Sequence, residues 1–153
     1  MLKDSLDRYY YKLTISELKR LSGKDAFSGI SYNSLLYMDL ITYGDSPTPS
    51  KLAEMLNVSK PAVTSKVNEL INLGLVEKAE NAADKRSFTL RPTPEAAEIY
   101  RSVDEAFEKA VIKLRQLYSP EEIASFCRIL DSFTDIYTGE MENGNSTDKR
   151  DKL

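Results

Sequence analysis

The stretch Thr48-Pro49-Ser50-Lys51-Leu52-Ala53-Glu54-Met55-Leu56-Asn57-Val58-Ser59-Lys60-Pro61-Ala62-Val63-Thr64-Ser65-Lys66-Val67-Asn68-Glu69-Leu70-Ile71-Asn72-Leu73-Gly74 decides the fold. Thr48 is a natural N-cap, and Pro49 suits the first helical position, where an N–H would lack a partner anyway. A short helix is predicted from Pro49 to Leu56. Asn57-Val58-Ser59 breaks it. Ser59 then caps a second helix that reaches about Leu73 and stops at Gly74, a residue suited to a left-handed C-terminal cap. Two helices joined by so short a turn make a helix-turn-helix. Leu52, Ala53, Met55 and Leu56 are expected to pack against the second helix, with Ala53 small enough to let the two cross closely.

The second helix has two unlike faces. At about 100° per residue, with Val63 at 0°, Val67, Leu70 and Ile71 fall near about 40°, 340° and 80°, one inward face. Pro61, Ser65, Asn68 and Asn72 fall on the opposite side, flanked by Thr64 and Glu69. The outward face is small, polar and nearly uncharged, a shape that enters a major groove and lets hydroxyls and amides meet base edges. Backbone N–H groups at Ser59-Lys60 are available to a phosphate.

After Gly74 the period changes from helical to alternating. Leu75-Val76-Glu77-Lys78-Ala79 and Ser87-Phe88-Thr89-Leu90-Arg91 read as strands of a hairpin, joined by a polar loop from Glu80 to Arg86. That hairpin makes the motif winged. Its tip holds Asp84-Lys85-Arg86. An Arg there can enter a narrow minor groove, with Asp84 steadying the guanidinium. A lone polar helix face or hairpin tip is ordinarily solvated surface. The short turn, Ala53 and the following wing together favour DNA contact instead.

Outward from this motif the chain is helical. Leu2, Leu6, Tyr9 and Leu13 predict a helix over about residues 3–21. Ser31 caps a helix carrying Leu35, Leu36, Met38 and Leu40, which stops near Gly44. Thr93 caps a long helix striped by Ala97, Tyr100, Val103, Phe107, Ala110, Val111, Leu114 and Leu117. Ser119-Pro120 opens a last helix with Ile123, Phe126, Leu130, Phe133, Ile136 and Tyr137 on one side. The fold class is therefore mainly α with a small β-wing. The expected organisation is an N-terminal dimerisation helix and linker over 1–30, a winged helix-turn-helix DNA-binding domain over 31–93, C-terminal dimerisation helices over 94–138, and a flexible tail over 139–153. The terminal helices carry more apolar surface than one small lobe can cover, so a two-fold homodimer is expected.

Composition narrows the function. The 153 residues include one cysteine and no histidine. Ser-His-Asp and Cys-His catalysis within the chain are excluded, as are His-liganded metal sites. No catalytic, cofactor or metal residues are assigned. Cys127 rules out an intrachain disulfide and, beside Phe126 on an apolar face, reads as a buried core thiol. No run reaches the ~18 apolar residues of a membrane span, and the charged N-terminus lacks a signal-peptide core, so a cytoplasmic location is expected. The net charge of -3 argues on its face against nucleic acid. By segment it does not: residues 48–93 carry +2 and residues 94–138 carry -4. The proposed DNA face is mildly basic, and the acid lies in the proposed dimer helices.

The chain resembles the MarR family of transcription regulators. The likeness lies in Pro49-Ser50-Lys51-Leu52-Ala53, in Val58-Ser59-Lys60-Pro61-Ala62-Val63-Thr64, in Leu73-Gly74-Leu75-Val76-Glu77-Lys78, and in Asp84-Lys85-Arg86-Ser87 with Leu90 and Thr93. The order of elements matches over about residues 3–138. The resemblance implies an intertwined homodimer reading a pseudo-palindromic double-stranded DNA operator. By that likeness Ser59, Lys60, Pro61, Ala62, Thr64, Ser65 and Asn68 lie in the major groove and Asp84, Lys85 and Arg86 at the minor groove. The family often has Arg where Ser65 stands and near Lys78, and Gly where Ala96 stands. Fewer arginines imply more recognition through shape and phosphate.

The resemblance also implies a small-molecule effector between the dimer helices and the DNA lobe. Tyr9, Tyr10, Tyr11, Tyr32 and Tyr37 are candidates for an aromatic ligand, with Arg8 or Lys12 for an anionic group. The same tyrosines also read as half-buried core with wet hydroxyls, the commoner use of such residues. Two other classes compete. A winged helix used only for protein interaction would show no salt-sensitive DNA affinity. An enzyme would need a triad, phosphate loop or metal cluster, and none is present in the sequence.

Overall fold

A computed structural model describes residues 1–22, 27, 29–45, 47–81 and 86–147. The chain divides into two compact units, Met1–Asp104 and Glu105–Leu153. The helices are α1 Leu2–Leu21, α2 Tyr32–Tyr43, α3 Pro49–Met55, α4 Lys60–Asn72, α5 Pro94–Leu117 and α6 Pro120–Thr147; the strands are β1 Val76–Glu80 and β2 Phe88–Pro92. The architecture is mainly α with one two-stranded antiparallel wing.

Local chemistry explains the boundaries. Ser31, Thr48 and Ser59 each accept a backbone N–H into the first turn of α2, α3 and α4. These bonds satisfy amides that a helix start would otherwise orphan. Helices α3 and α4 end alike. Asn57 (φ 51°) and Gly74 (φ 71°) take the left-handed conformation just beyond their caps. Asn57 N–H donates to the Glu54 carbonyl and Val58 N–H to that of Ala53, while Gly74 N–H donates to Ile71 and Leu75 N–H to Leu70. This paired pattern closes a helix and turns the chain sharply.

The core of the first unit gathers Leu35, Met38 and Ile41 from α2, Leu52 and Ala53 from α3, Val63, Val67 and Leu70 from α4, Leu75, Val76 and Leu90 from the wing, and Ala96 and Tyr100 from α5, with Phe27. Strand register pairs Val76 with Pro92 and Lys78 with Leu90. The wing is pinned at its base. Leu90 N–H donates to the Pro47 carbonyl at 2.9 Å, and Thr93 donates its hydroxyl to the Gly74 carbonyl at 2.8 Å while accepting the Ala96 N–H at 3.3 Å. Thr93 thus caps α5 and holds it to the end of α4.

Several expectations need correction. Leu52 and Ala53 pack inward, but Met55 and Leu56 are exposed, because the short α3 turns only one narrow edge to the core. The first turn of α5 buries Ala96 rather than Ala97. Ala96, Tyr100 and Val103 follow the i, i+4, i+7 spacing that keeps residues on one face. Cys127 is exposed in the single chain, not buried. Helix α6 continues past Gly139 to Thr147 where a flexible tail was expected. A helical glycine costs only about 1 kcal/mol relative to alanine, and Glu140 and Met141 beside it favour helix. Residues 148–153 lie outside the described residues.

In the second unit no described residue is buried. Phe107, Leu117 and Phe126 stand largely exposed. Helix α1 likewise buries none of its side chains fully. Among the described residues no helix is long and apolar enough to cross a membrane.

Candidate nucleic-acid interface

The caps and core fix which face of α4 looks outward. Val63, Val67 and Leu70 are buried, and Lys60, Pro61, Ala62, Thr64, Ser65, Asn68 and Asn72 are exposed. The helical period predicts the outward side for Pro61, Ser65, Asn68 and Asn72, and the structure agrees. Past Lys60 the start of α4 has no further amide to offer. Pro61 has none, and the Ala62 N–H is directed at Ser59 Oγ, 3.4 Å away. That leaves the Ser59 and Lys60 N–H groups for a phosphate, the two expected from the sequence. The Thr64 hydroxyl donates to the Lys60 carbonyl at 2.9 Å, so it can act outward only as an acceptor.

A groove of about 680 Å³ runs between α4 and the wing. Thr64 and Asn68 line one wall, Lys78, Arg86, Ser87 and Phe88 the other, and Thr48, Pro49 and Ser50 close one end. The structure therefore brings Thr64 and Asn68 to the same groove as Arg86. Asp84 and Lys85 lie outside the described residues. Sequence reasoning misses Lys78 as a site residue. Its ammonium lies 4.5 Å from the centroid of the Phe88 ring, a cation–π contact that holds the charge at the groove wall. Alternation along β1 sets Lys78 on the same face as Val76, two residues farther from the core. Only pairing with β2 brings it to Phe88. Elsewhere on the hairpin Arg91 Nε donates to Glu77 Oε1 at 2.7 Å across the strands.

On its other flank α4 meets α2. The Ser34 hydroxyl donates to Glu69 Oε1 at 2.7 Å, and Lys66 Nζ donates to Glu69 Oε2 at 2.7 Å and to Ser34 Oγ at 3.1 Å. The hydrogen bond from Lys66, then that from Ser34, hold the Glu69 carboxyl below its usual range. Glu69, expected to flank the reading face, is turned to this network instead.

The tyrosines do not converge. Tyr9, Tyr10 and Tyr11 occupy consecutive exposed positions of α1, so they point about 100° apart. Tyr32 is exposed at the start of α2, while Tyr37 is buried at 8% exposure in the core. Arg8 donates to Ser5 one turn back. Among the described residues no group of three or more His, Cys, Asp or Glu could hold a metal ion.

A capped helix-turn-helix whose second helix shares a groove with a basic two-stranded wing defines a winged helix-turn-helix protein. Residues 28–87 match the sequence model of the MarR family. The chain is similar to YdgG, an uncharacterized HTH-type transcriptional regulator of Bacillus subtilis, at 26% identity over 82% of this chain and 81% of that protein. Its fold resembles FabT of Streptococcus pneumoniae, solved in complex with DNA, at 25% identity and a TM-score of 0.68, covering 90% of this chain and 96% of that one. A MarR-like transcriptional regulator of Thermotoga maritima shares the fold at 19% identity and a TM-score of 0.59, covering 85% of this chain and 95% of that one. Residues 28–87 thus carry a MarR-family segment, and the chain as a whole is similar to HTH-type transcriptional regulators.

Proposed function

We propose that the protein is a cytoplasmic, sequence-specific regulator that acts as a homodimer on a pseudo-palindromic operator, most simply as a repressor. The observation that carries this reading is the groove shared by Thr64 and Asn68 of α4 with Lys78 and Arg86 of the wing. It sets small hydrogen-bonding side chains beside two cations. The first suit base edges in a major groove, and the second suit phosphates and a minor groove. Ser59, Lys60, Pro61, Ala62 and Ser65 belong to the same surface. The likeness to FabT, whose structure holds DNA, supports the same use of this fold.

The dimer is supported by energetics. A unit with no buried residue gains almost nothing from folding in water, since burial is worth roughly 25 cal/mol per Å² of apolar surface. A second copy laid on the outer part of α5 and on α6 supplies that burial. An aromatic or anionic effector that weakens DNA binding belongs to the same reading through the family resemblance alone, since Tyr9, Tyr10, Tyr11 and Tyr32 form no shared pocket in the single chain.

Binding to the DNA upstream of the protein's own gene, measured at two salt concentrations, tests the reading. Steep loss of affinity with salt, together with preference over random DNA, is expected. Equal affinity for both DNAs would reduce the protein to a non-specific binder. No binding at either salt would leave a winged helix used for protein contacts.

A further inference from the structure

We propose that Glu69 is a positioning residue which, through Ser34 and Lys66, fixes the roll of α4 and thereby the discrimination between cognate and unrelated DNA. This rests on the DNA-reading function proposed above.

The apolar face of α4 does not by itself define an angle. Val63, Val67 and Leu70 are branched aliphatic side chains whose contacts carry no direction. Side-chain tips lie about 5–6 Å from a helix axis, so a roll of about 10° moves an outward atom by about 1 Å. That exceeds the width of a good hydrogen-bond distance range, about 0.5 Å. Base reading by Thr64, Ser65 and Asn68 therefore needs a second, directional constraint.

The network on the α2 side has that directionality. Ser34 is fully buried, and its hydroxyl lies within bonding distance of three partners: Glu69 Oε1 at 2.7 Å, Lys66 Nζ at 3.1 Å and Ser31 Oγ at 2.7 Å. A carboxylate can only accept and an ammonium can only donate. Ser34 must then donate to Glu69 and accept from Lys66 and Ser31, which uses its one proton and both lone pairs. Ser31 in turn accepts the Ser34 N–H at 3.1 Å as the cap of α2. A rotation of α4 about its axis breaks two of the three hydrogen bonds of this buried hydroxyl and leaves it only Ser31 Oγ. The pairing with Lys66 also cancels a carboxylate that would otherwise stand beside the reading face and repel phosphate.

The two roles make opposite predictions. A plain repulsive charge, once removed, leaves binding tighter on all DNA. A positioning residue, once removed, leaves cognate binding weaker and unrelated binding unchanged or tighter. The experiment compares wild type, Glu69→Gln and Ser34→Ala on a duplex selected from a random-sequence library, on unrelated duplex, and on a set carrying each single base change in the selected half-site. Glu69→Gln keeps an acceptor for Ser34 but loses the charge that holds Lys66. Ser34→Ala leaves the Lys66–Glu69 pair in place and fills the buried site with a methyl, and a thermal melt confirms that it folds. The cognate-to-unrelated ratio is expected to fall by about tenfold or more in both variants, as much as losing one well-read base pair. The loss should spread over several adjacent base pairs, whereas a lost direct contact relaxes one. Glu69→Gln tightening both DNAs equally, or Ser34→Ala leaving the ratio unchanged, would overturn the inference. A wild type that does not discriminate at all removes the regulator reading itself, and shows this before any substitution is compared.

Discussion

The phenol of Tyr100 on α5 donates to Asp39 Oδ1 on α2 at 2.7 Å, joining residues 61 positions apart in the chain. Arg20 of α1 completes the cluster. Its guanidinium contacts Glu17 at 2.7 Å and Asp39 at 3.6 Å and lies 5.6 Å from the ring centroids of both Phe27 and Tyr100. Three helices of the first unit therefore meet around one carboxylate. Tyr100→Phe keeps the edge contacts with Phe27 at 5.4 Å and Tyr43 at 5.5 Å and removes only the hydroxyl. We expect a loss of about 1–2 kcal/mol, the value of one hydrogen bond to a charged acceptor offset by water reaching Asp39. Urea unfolding with an unchanged slope measures it.

The same bond predicts behaviour in alkali. Burial, and then the hydrogen bond to Asp39, raise the Tyr100 phenol above its ordinary 10.0. A group with a raised folded pKa contributes stability that is complete below its unfolded pKa and is lost as pH rises beyond it. The advantage of wild type over Tyr100→Phe should be constant between pH 7 and about pH 9 and shrink above about pH 10. Denaturation midpoints of both proteins across this range give the comparison.

Arg86→Ala should weaken binding to the operator by about 1–3 kcal/mol. Lys78→Ala should weaken binding to all sequences alike and lower the slope of affinity against salt by about 1, as removal of one phosphate contact does. Titrations at several salt concentrations separate the two. A selective effect of Lys78→Ala on the operator would make it a base reader instead.

Gly74 holds a left-handed conformation with nothing within 4 Å of where a Cβ would stand. Gly74→Ala thus meets no clash and should cost roughly 1–2 kcal/mol from backbone strain alone. The melting temperature should fall, and DNA affinity of the folded protein should be kept, since the wing is still pinned through Thr93.

Leu117→Glu places a charge on the largely exposed apolar face of the second unit. A dimer that buries this face should dissociate, and sedimentation at micromolar concentration should show monomer with weakened operator binding. A variant that stays dimeric would move the interface elsewhere.

The secondary structure was legible because its causes are local. Thr48, Ser59 and Thr93 cap within three residues of themselves, and Gly74 turns the chain at its own φ. The outward face of α4 followed from its period alone, and so did Arg86 at the wing from the hairpin pattern. Side-chain partners were not legible in the same way. Glu69 looked like a flanking charge because its spacing on α4 says nothing of Ser34, 35 residues earlier. Lys78 was not legible as a groove residue because its contact with Phe88 needs the strand register. Cys127 looked buried because apolar neighbours in sequence do not guarantee a covering surface in the fold.

By itself the sequence determined the order of helices, the caps and turns between them, the two faces of α4 and the absence of histidine chemistry. Those properties depend on dihedral preferences and on neighbours within about one helical turn. The tertiary structure alone decided which side chains meet: Tyr100 with Asp39, Glu69 with Ser34 and Lys66, and Arg86 with Thr64 and Asn68 at one groove. Such meetings depend on how whole elements pack, because hydrogen-bond and ion-pair energies fall away within a few ångströms and no chain spacing encodes that distance.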